Sequence, residues 1–147
     1  MDDLECIAQE LSAILKKKGY RKNRMTWYKE KPLLTVVLSI EKSLYSKDTW
    51  YYWFGICLHD IAETKSRSIG NCHVKYRVEN TMDHISLSQE MVVNLLNRWE
   101  SMYGDIQTLR YHAIQGKLPL MSTIDAKKYL SSIDLSKYGK TGDGSLS

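Results

Sequence analysis

Cys57, His59, Cys72 and His73 have the widest chemical range of any side chains in this sequence, since thiolate and imidazole are ligands that zinc accepts. Their spacing works against a metal. On two extended strands Cys57 and His59 point one way, adjacent Cys72 and His73 point opposite ways, and neither a Cys-x-x-Cys nor a His-x-x-x-His pair occurs. Acid–base chemistry has its own set in His59, His73, Glu41 and Arg77, where a carboxylate can orient an imidazole and a guanidinium can hold an anion. Glu41 and Arg77 can equally form a structural cross-strand pair. There is no Gly-x-Ser-x-Gly, no phosphate-binding glycine loop and no dinucleotide fingerprint, so no catalytic residue, metal or cofactor is assigned. The densest charge cluster, Lys16, Lys17, Lys18, Arg21, Lys22 and Arg24, contains no acid and suits phosphates. Its first three lysines also fall where a helix end favours cations, which makes a solvated helix terminus the competing reading.

Which of these residues can meet depends on the elements beneath them. From Tyr20 to Arg77 the hydrophobic period is two, with strands expected near 24–30, 33–42, 50–59 and 71–79 joined as an antiparallel meander. Pro32 marks a turn or an edge, and the polar loop 61–70 is long enough to move. Alternation then assigns faces. Leu34, Val36, Leu38 and Ile40, with Trp50, Tyr52, Phe54, Ile56 and Leu58 and with Cys72, Val74, Tyr76 and Val78, are expected to share the core. The opposite face carries Glu41, Tyr51, Trp53, His59, His73, Lys75 and Arg77, a mixture of rings, imidazoles and both charges that suits a partner or ligand, with Gly55 permitting close approach to the backbone. If that face is open, the Trp53 ring is wet; if a C-terminal helix covers it, Trp53 is a core residue.

Helices flank this region. Leu4, Ile7, Ala8, Leu11, Ile14 and Leu15 give an amphipathic helix over 2–18 that ends at Gly19. Val92, Leu95, Leu96, Trp99 and Met102 form another stripe, with Ser88 as N-cap, Leu87 and Val92 as a staple, and Gly104 as a left-handed C-terminal residue. Asp105 caps a third helix ending at Gly116, and a short fourth is expected near 123–131. The fold class is therefore α+β: an N-terminal helix, a four-stranded antiparallel meander and two or three C-terminal helices, forming one domain over 1–139 with a flexible tail at 140–147.

With 43% hydrophobic and 26% charged residues in 147, the chain lies outside the disordered regime, and its net charge of +4 falls short of a committed nucleic-acid binder. Ten Tyr and four Trp beside one Phe favour half-wet interfaces. No run approaches the roughly 18 apolar residues of a membrane span, and the acidic Met1-Asp2-Asp3 is unlike a signal peptide, so a cytoplasmic protein is expected. Three cysteines without framework spacing suit a reducing compartment and no disulfide.

The ordered motifs Lys-Lys-x-Gly-Tyr ending at Tyr20, Trp27-Tyr28-Lys29, Glu41-Lys42-Ser43, Tyr51-Tyr52-x-Phe54-Gly55-Ile56 and Cys72-His73-Val74-x-x-Arg77 resemble a bacterial family known as domain of unknown function 4304, over roughly residues 10–80. Glu41 stands where that pattern favours Gln, and Trp53 where it favours an amide. The resemblance implies a small cytoplasmic bacterial α+β domain in which Lys42, Ser43, His73 and Arg77 lie in one region, and it implies no activity. The function expected is a non-enzymatic protein-binding module, most concretely a cytosolic immunity protein that neutralises a polymorphic toxin. A nucleic-acid-associated protein using the cluster from Lys16 to Arg24, and a small enzyme using His, Glu and Arg on the mixed sheet face, are the alternatives.

Overall fold

Leu4, Ala8, Leu11 and Leu15 recur at the period of one helix face, and in the computed structural model all four are buried along α1 (Asp3–Lys17). The structure describes residues 3–45, 49–64, 68–81 and 88–133. Gly19 ends α1 at φ 91°, with the Gly19 N–H on the Lys16 carbonyl and the Tyr20 N–H on that of Leu15, the paired bonds of a Schellman turn.

Among the described residues five strands follow, one more than the alternation predicts: β1 (Arg21–Asn23), β2 (Thr26–Glu30), β3 (Leu34–Lys42), β4 (Thr49–Leu58) and β5 (Val74–Thr81), each antiparallel to its sequence neighbour. The expected strand start at Arg24 is instead a turn. Arg24 takes a left-handed φ of 57°, so Asn23 pairs back onto Thr26 and three polar residues become an extra edge strand.

α2 (Gln89–Tyr103), α3 (Ile106–Ile114) and α4 (Ile124–Ser132) complete the fold. Their N-caps are Ser88, Asp105 and Thr123, whose side chains accept from Met91, Thr108 and Ala126 N–H respectively. Gly104 is not left-handed as expected; its φ is −84°. Glycine is required there for closeness, because a Cβ would lie 2.7 Å from the Glu100 carbonyl oxygen. Leu87 of the expected staple and the expected tail at 140–147 lie outside the described residues.

The four described helices pack on one side of the sheet. A single cluster joins α1 (Leu11, Leu15), α2 (Leu96, Trp99), Leu109 of α3 and Leu130 of α4 to the alternating residues Leu34, Val36, Leu38, Tyr52, Phe54 and Ile56. Trp27, also in this cluster, donates its indole N–H to Ser12 Oγ at 3.1 Å and so ties β2 to α1. Two residues assigned to this core are not buried in it. Cys72 precedes β5 and sits in a separate cluster with Val37 and Cys57 on the other side, while Tyr76 holds the core register yet is 50% exposed where the helical layer stops short of the sheet edge. No described helix is long and apolar enough to cross a membrane.

Candidate functional site

With the described helices on one side, the outer side of the sheet is left, among the described residues, to β-strand side chains and to the segment between β4 and β5. Its described residues cover one end. It makes 3₁₀ turns at His59–Ile61 and Ile69–Asn71, and Ile69 packs with Cys72 against Val37 and Cys57. The close approach expected at Gly55 is made by the chain itself, since a Cβ there would meet Ile69 Cδ1 at 2.6 Å and Cys72 Sγ at 2.7 Å. Beneath this cover Thr35, Val37 and Cys57 are fully buried, and the Cys57 and Cys72 sulfurs are 2.9 Å apart.

The other end, which no other described segment covers, carries a connected group. Register places Ser39, Trp53 and Arg77 in one row across β3, β4 and β5, with Glu41, Tyr51 and Glu79 in the next. Trp53 donates its indole N–H to Glu41 Oε1 at 3.0 Å. The Arg77 guanidinium lies 4.4 Å from the Tyr51 ring centre and 5.6 Å from that of Trp53, and Lys75 Nζ is 5.9 Å from Trp53. Glu41 and Arg77 are therefore not a direct pair: one strand separates them, and the two rings stand between their charges. The Trp53 ring is half-buried rather than wet, because its own neighbours lie across it. Each side chain here is held on a central or adjoining strand by ladder pairing, which fixes the spacing of rings and charges before any partner arrives.

His59 and His73 do not join the group. His59 donates from Nδ1 to the Pro32 carbonyl at 3.2 Å, which leaves Nε2 to accept from the Thr35 hydroxyl at 2.7 Å. Thr35 is six residues from Glu41 along β3, about 20 Å at the rise of a strand. His73 was expected beside Lys75 and Arg77, but its Nδ1 accepts the Leu58 N–H at 3.0 Å at the far end of β4. The turn at Ile69–Asn71 delays β5 until Val74, so Cys72 and Lys75 share the outer side at a spacing of three, which a continuous strand forbids. Burial holds the His73 pKa below the usual histidine range, against smaller upward pulls from the Ile61 carbonyl, Asp125 and Glu63. Its two ring edges are committed to backbone, a supporting role. The acid–base set read from sequence is thus dispersed, and among the described residues no three His, Cys, Asp or Glu side chains are placed to hold a metal.

The basic cluster is divided. Lys16 and Lys17 are exposed in the last turn of α1, and Arg24 lies in the β1–β2 turn. Arg21 pairs with Tyr28 on the outer side of the sheet, whereas Lys22 pairs with Trp27 and places its Nζ 5.7 Å from that buried ring. Lys18 turns toward α2, lining a polar hollow of about 440 Å³ with Lys29 and Glu100. There Glu100 accepts the Tyr20 hydroxyl at 2.5 Å and lies 3.6 Å from Lys29 Nζ. Burial, and then Glu100, push the Tyr20 phenol well above its usual range.

Two groups escaped the sequence reading. One is Tyr20–Glu100–Lys29, whose members lie in the α1–β1 connection, on α2 and on β2. The other is a pocket of aromatic rings around Tyr76 and Trp99, residues that alternation and helical period both mark as ordinary core. A family model described as domain of unknown function (DUF4304) matches residues 11–116. The chain belongs to this family. The DUF4304 match runs from within α1 to the residue after Gln115 at the end of α3; it takes in every strand and the whole open group, and leaves α4 outside. No curated protein and no solved structure matches the chain.

Proposed function

We propose that this DUF4304 protein is a non-enzymatic protein-binding module whose contact surface is the open end of the outer sheet face, centred on Tyr51, Trp53, Lys75, Arg77 and Glu41. The observation that carries the reading is the one-sided helical layer, which leaves these residues bridged to one another and covered by no described helix. Tyr, Trp and Arg are the residues that dominate interface energetics, and rings already fixed on a sheet lose little freedom on binding. The charges nearly balance, with Lys75 and Arg77 against Glu41 and Glu79, so complementarity here rests on shape and stacking more than on long-range steering.

In its most concrete form the proposal is a cytosolic immunity protein that neutralises a toxin delivered by a competing bacterium. A net charge of +4 fits poorly with a basic nuclease and better with a toxin that presents a neutral or acidic face. The test is co-expression with the product of the neighbouring upstream reading frame. Rescued growth and a complex on gel filtration are expected, both lost with Trp53→Ala or Arg77→Ala. No rescue and no complex would remove the immunity reading, and a complex insensitive to both substitutions would move the interface elsewhere.

A further inference from the structure

On the opposite side from that surface, where α2 and the α3–α4 connection meet the β5 edge, the helical layer leaves a pocket of about 320 Å³. Phe54, Trp99, Tyr76 and Tyr103 supply four rings to its wall and Pro119 closes one side. Tyr76 and Trp99 are stacked within 19° of parallel at 6.4 Å between centres, Phe54 lies 6.0 Å from Trp99, and Tyr103 meets Trp99 edge-on at 4.8 Å. The Trp99 ring is fixed by its indole N–H, which donates to the Gly55 carbonyl at 3.2 Å. One charged group lines the pocket. It belongs to Arg98, an exposed residue, with no carboxylate among the lining residues and no ion pair to a described residue.

We propose that this pocket binds a planar bicyclic aromatic carboxylate, with its ring system against the half-exposed Tyr76 ring, beside the buried Trp99 on which that ring stacks, and its anionic group on Arg98. Volume sets the ring count: a dry cavity of roughly 150 Å³ holds one benzene, and this pocket is about twice that, within the range of small-ligand sites. Ring contacts set the shape, since offset and edge-on aromatic neighbours favour a flat partner. Charge sets the end group, because a guanidinium at an apolar rim discriminates an acid from its uncharged analogue. The site is independent of the protein-binding surface and shares no side chain with it.

The test follows the Trp99 indole N–H signal by NMR during titration with indole-3-propionate, indole-3-propionamide and propionate. The acid shifts that signal saturably with millimolar or tighter affinity, the amide does so more weakly, and propionate leaves it unmoved. Arg98→Gln, at an exposed position, weakens the acid by about fivefold to tenfold and leaves the amide unchanged. Tyr76→Ala weakens both. No shift at Trp99 with the acid to about 10 mM, a concentration that nearly saturates a site with a Kd of about 1 mM, marks the pocket as a packing gap and overturns the proposal. Equal weakening of acid and amide by Arg98→Gln overturns the assignment of the anion.

Discussion

Replacing Trp53 and its chain neighbour Phe54 by alanine separates an open sheet face from a covered one. Phe54 is 1% exposed in the main core, in ring contact with Tyr76 and Trp99, so its truncation loses transfer energy and leaves a cavity, together about 3–5 kcal/mol. Trp53 sits on the other side. Its truncation removes one hydrogen bond to Glu41, worth about 1 kcal/mol, and contacts from Lys75 and Arg77 worth about 0.5 kcal/mol each where solvent reaches them. No closed cavity forms, because the ring has solvent on one side, and the loss is about 2 kcal/mol. At roughly 2–4 °C per kcal/mol for a chain of this size, thermal denaturation followed by circular dichroism gives a drop of about 6 °C for Trp53→Ala and about 12 °C for Phe54→Ala. Trp53→Gln sharpens the contrast: on an open face it costs no more than alanine, whereas under a cover the buried amide adds about 1–3 kcal/mol. Acrylamide quenching gives a second reading, since Trp27, Trp50 and Trp99 are 1%, 6% and 5% exposed, and Trp53→Phe therefore removes most of the quenchable emission. Equal drops for the two alanine variants, with a further loss for Trp53→Gln, would refute the open face and the binding proposal with it.

Gly104→Asn and Gly104→Ala should destabilise alike in urea titration, by about 2 kcal/mol, because the obstacle is the Glu100 backbone; at Gly116, with φ 71°, Asn should be the milder substitution. Tyr20→Phe should cost about 1.5–3 kcal/mol by removing a charge-assisted bond to Glu100, measured by the same titration, and a loss below 0.5 kcal/mol by the scale of ordinary surface changes, roughly that size, would contradict the geometry. His73 has a folded pKa below its unfolded value, so the unfolded chain binds more protons as pH falls through about 6.5 and stability drops in that direction. Wild type should therefore lose melting temperature between about pH 7.5 and 5.5, and His73→Gln should lose less over the same interval; parallel curves would exclude the His73 contribution.

Sequence periodicity locates the central hairpin well because burial on β3 and β4 follows one repeating rule: Leu34 to Ile40 and Trp50 to Leu58 each place alternate residues toward the helices. It fails at β1, where Arg21, Lys22 and Asn23 are all exposed and carry no pattern, so only the left-handed Arg24 betrays the turn. It fails again at Cys72 and His73, where a 3₁₀ turn breaks the alternation that holds from Val74 onward. Of the outer-face candidates, Glu41, Tyr51, Trp53, Lys75 and Arg77 come together because they lie on paired strands within two residues of a shared row. His59 and His73 do not, since each lies beyond a strand end, where register no longer dictates direction and backbone groups claim the imidazole. Tyr76 and Trp99 look like core by every local rule; that a pocket opens between them depends on how far α2 reaches over β5, which no window of sequence encodes.

The meander order has a kinetic consequence. Because every strand pairs with its chain neighbour, β1 to β5 can zip together from short-range contacts, the arrangement that favours rapid pairing. The surface that α2 covers is complete by Thr81, yet α2 begins at Gln89, and α1 gains its helical neighbour only when α2 arrives. During synthesis at about 5–20 residues per second, a sheet whose inner side, bearing Leu38, Tyr52, Phe54 and Ile56, is met by α1 alone would persist for seconds before α2, α3 and α4 emerged. Slowing translation within the α2 codons should therefore raise aggregation of the nascent chain, while slowing it after α4 should not.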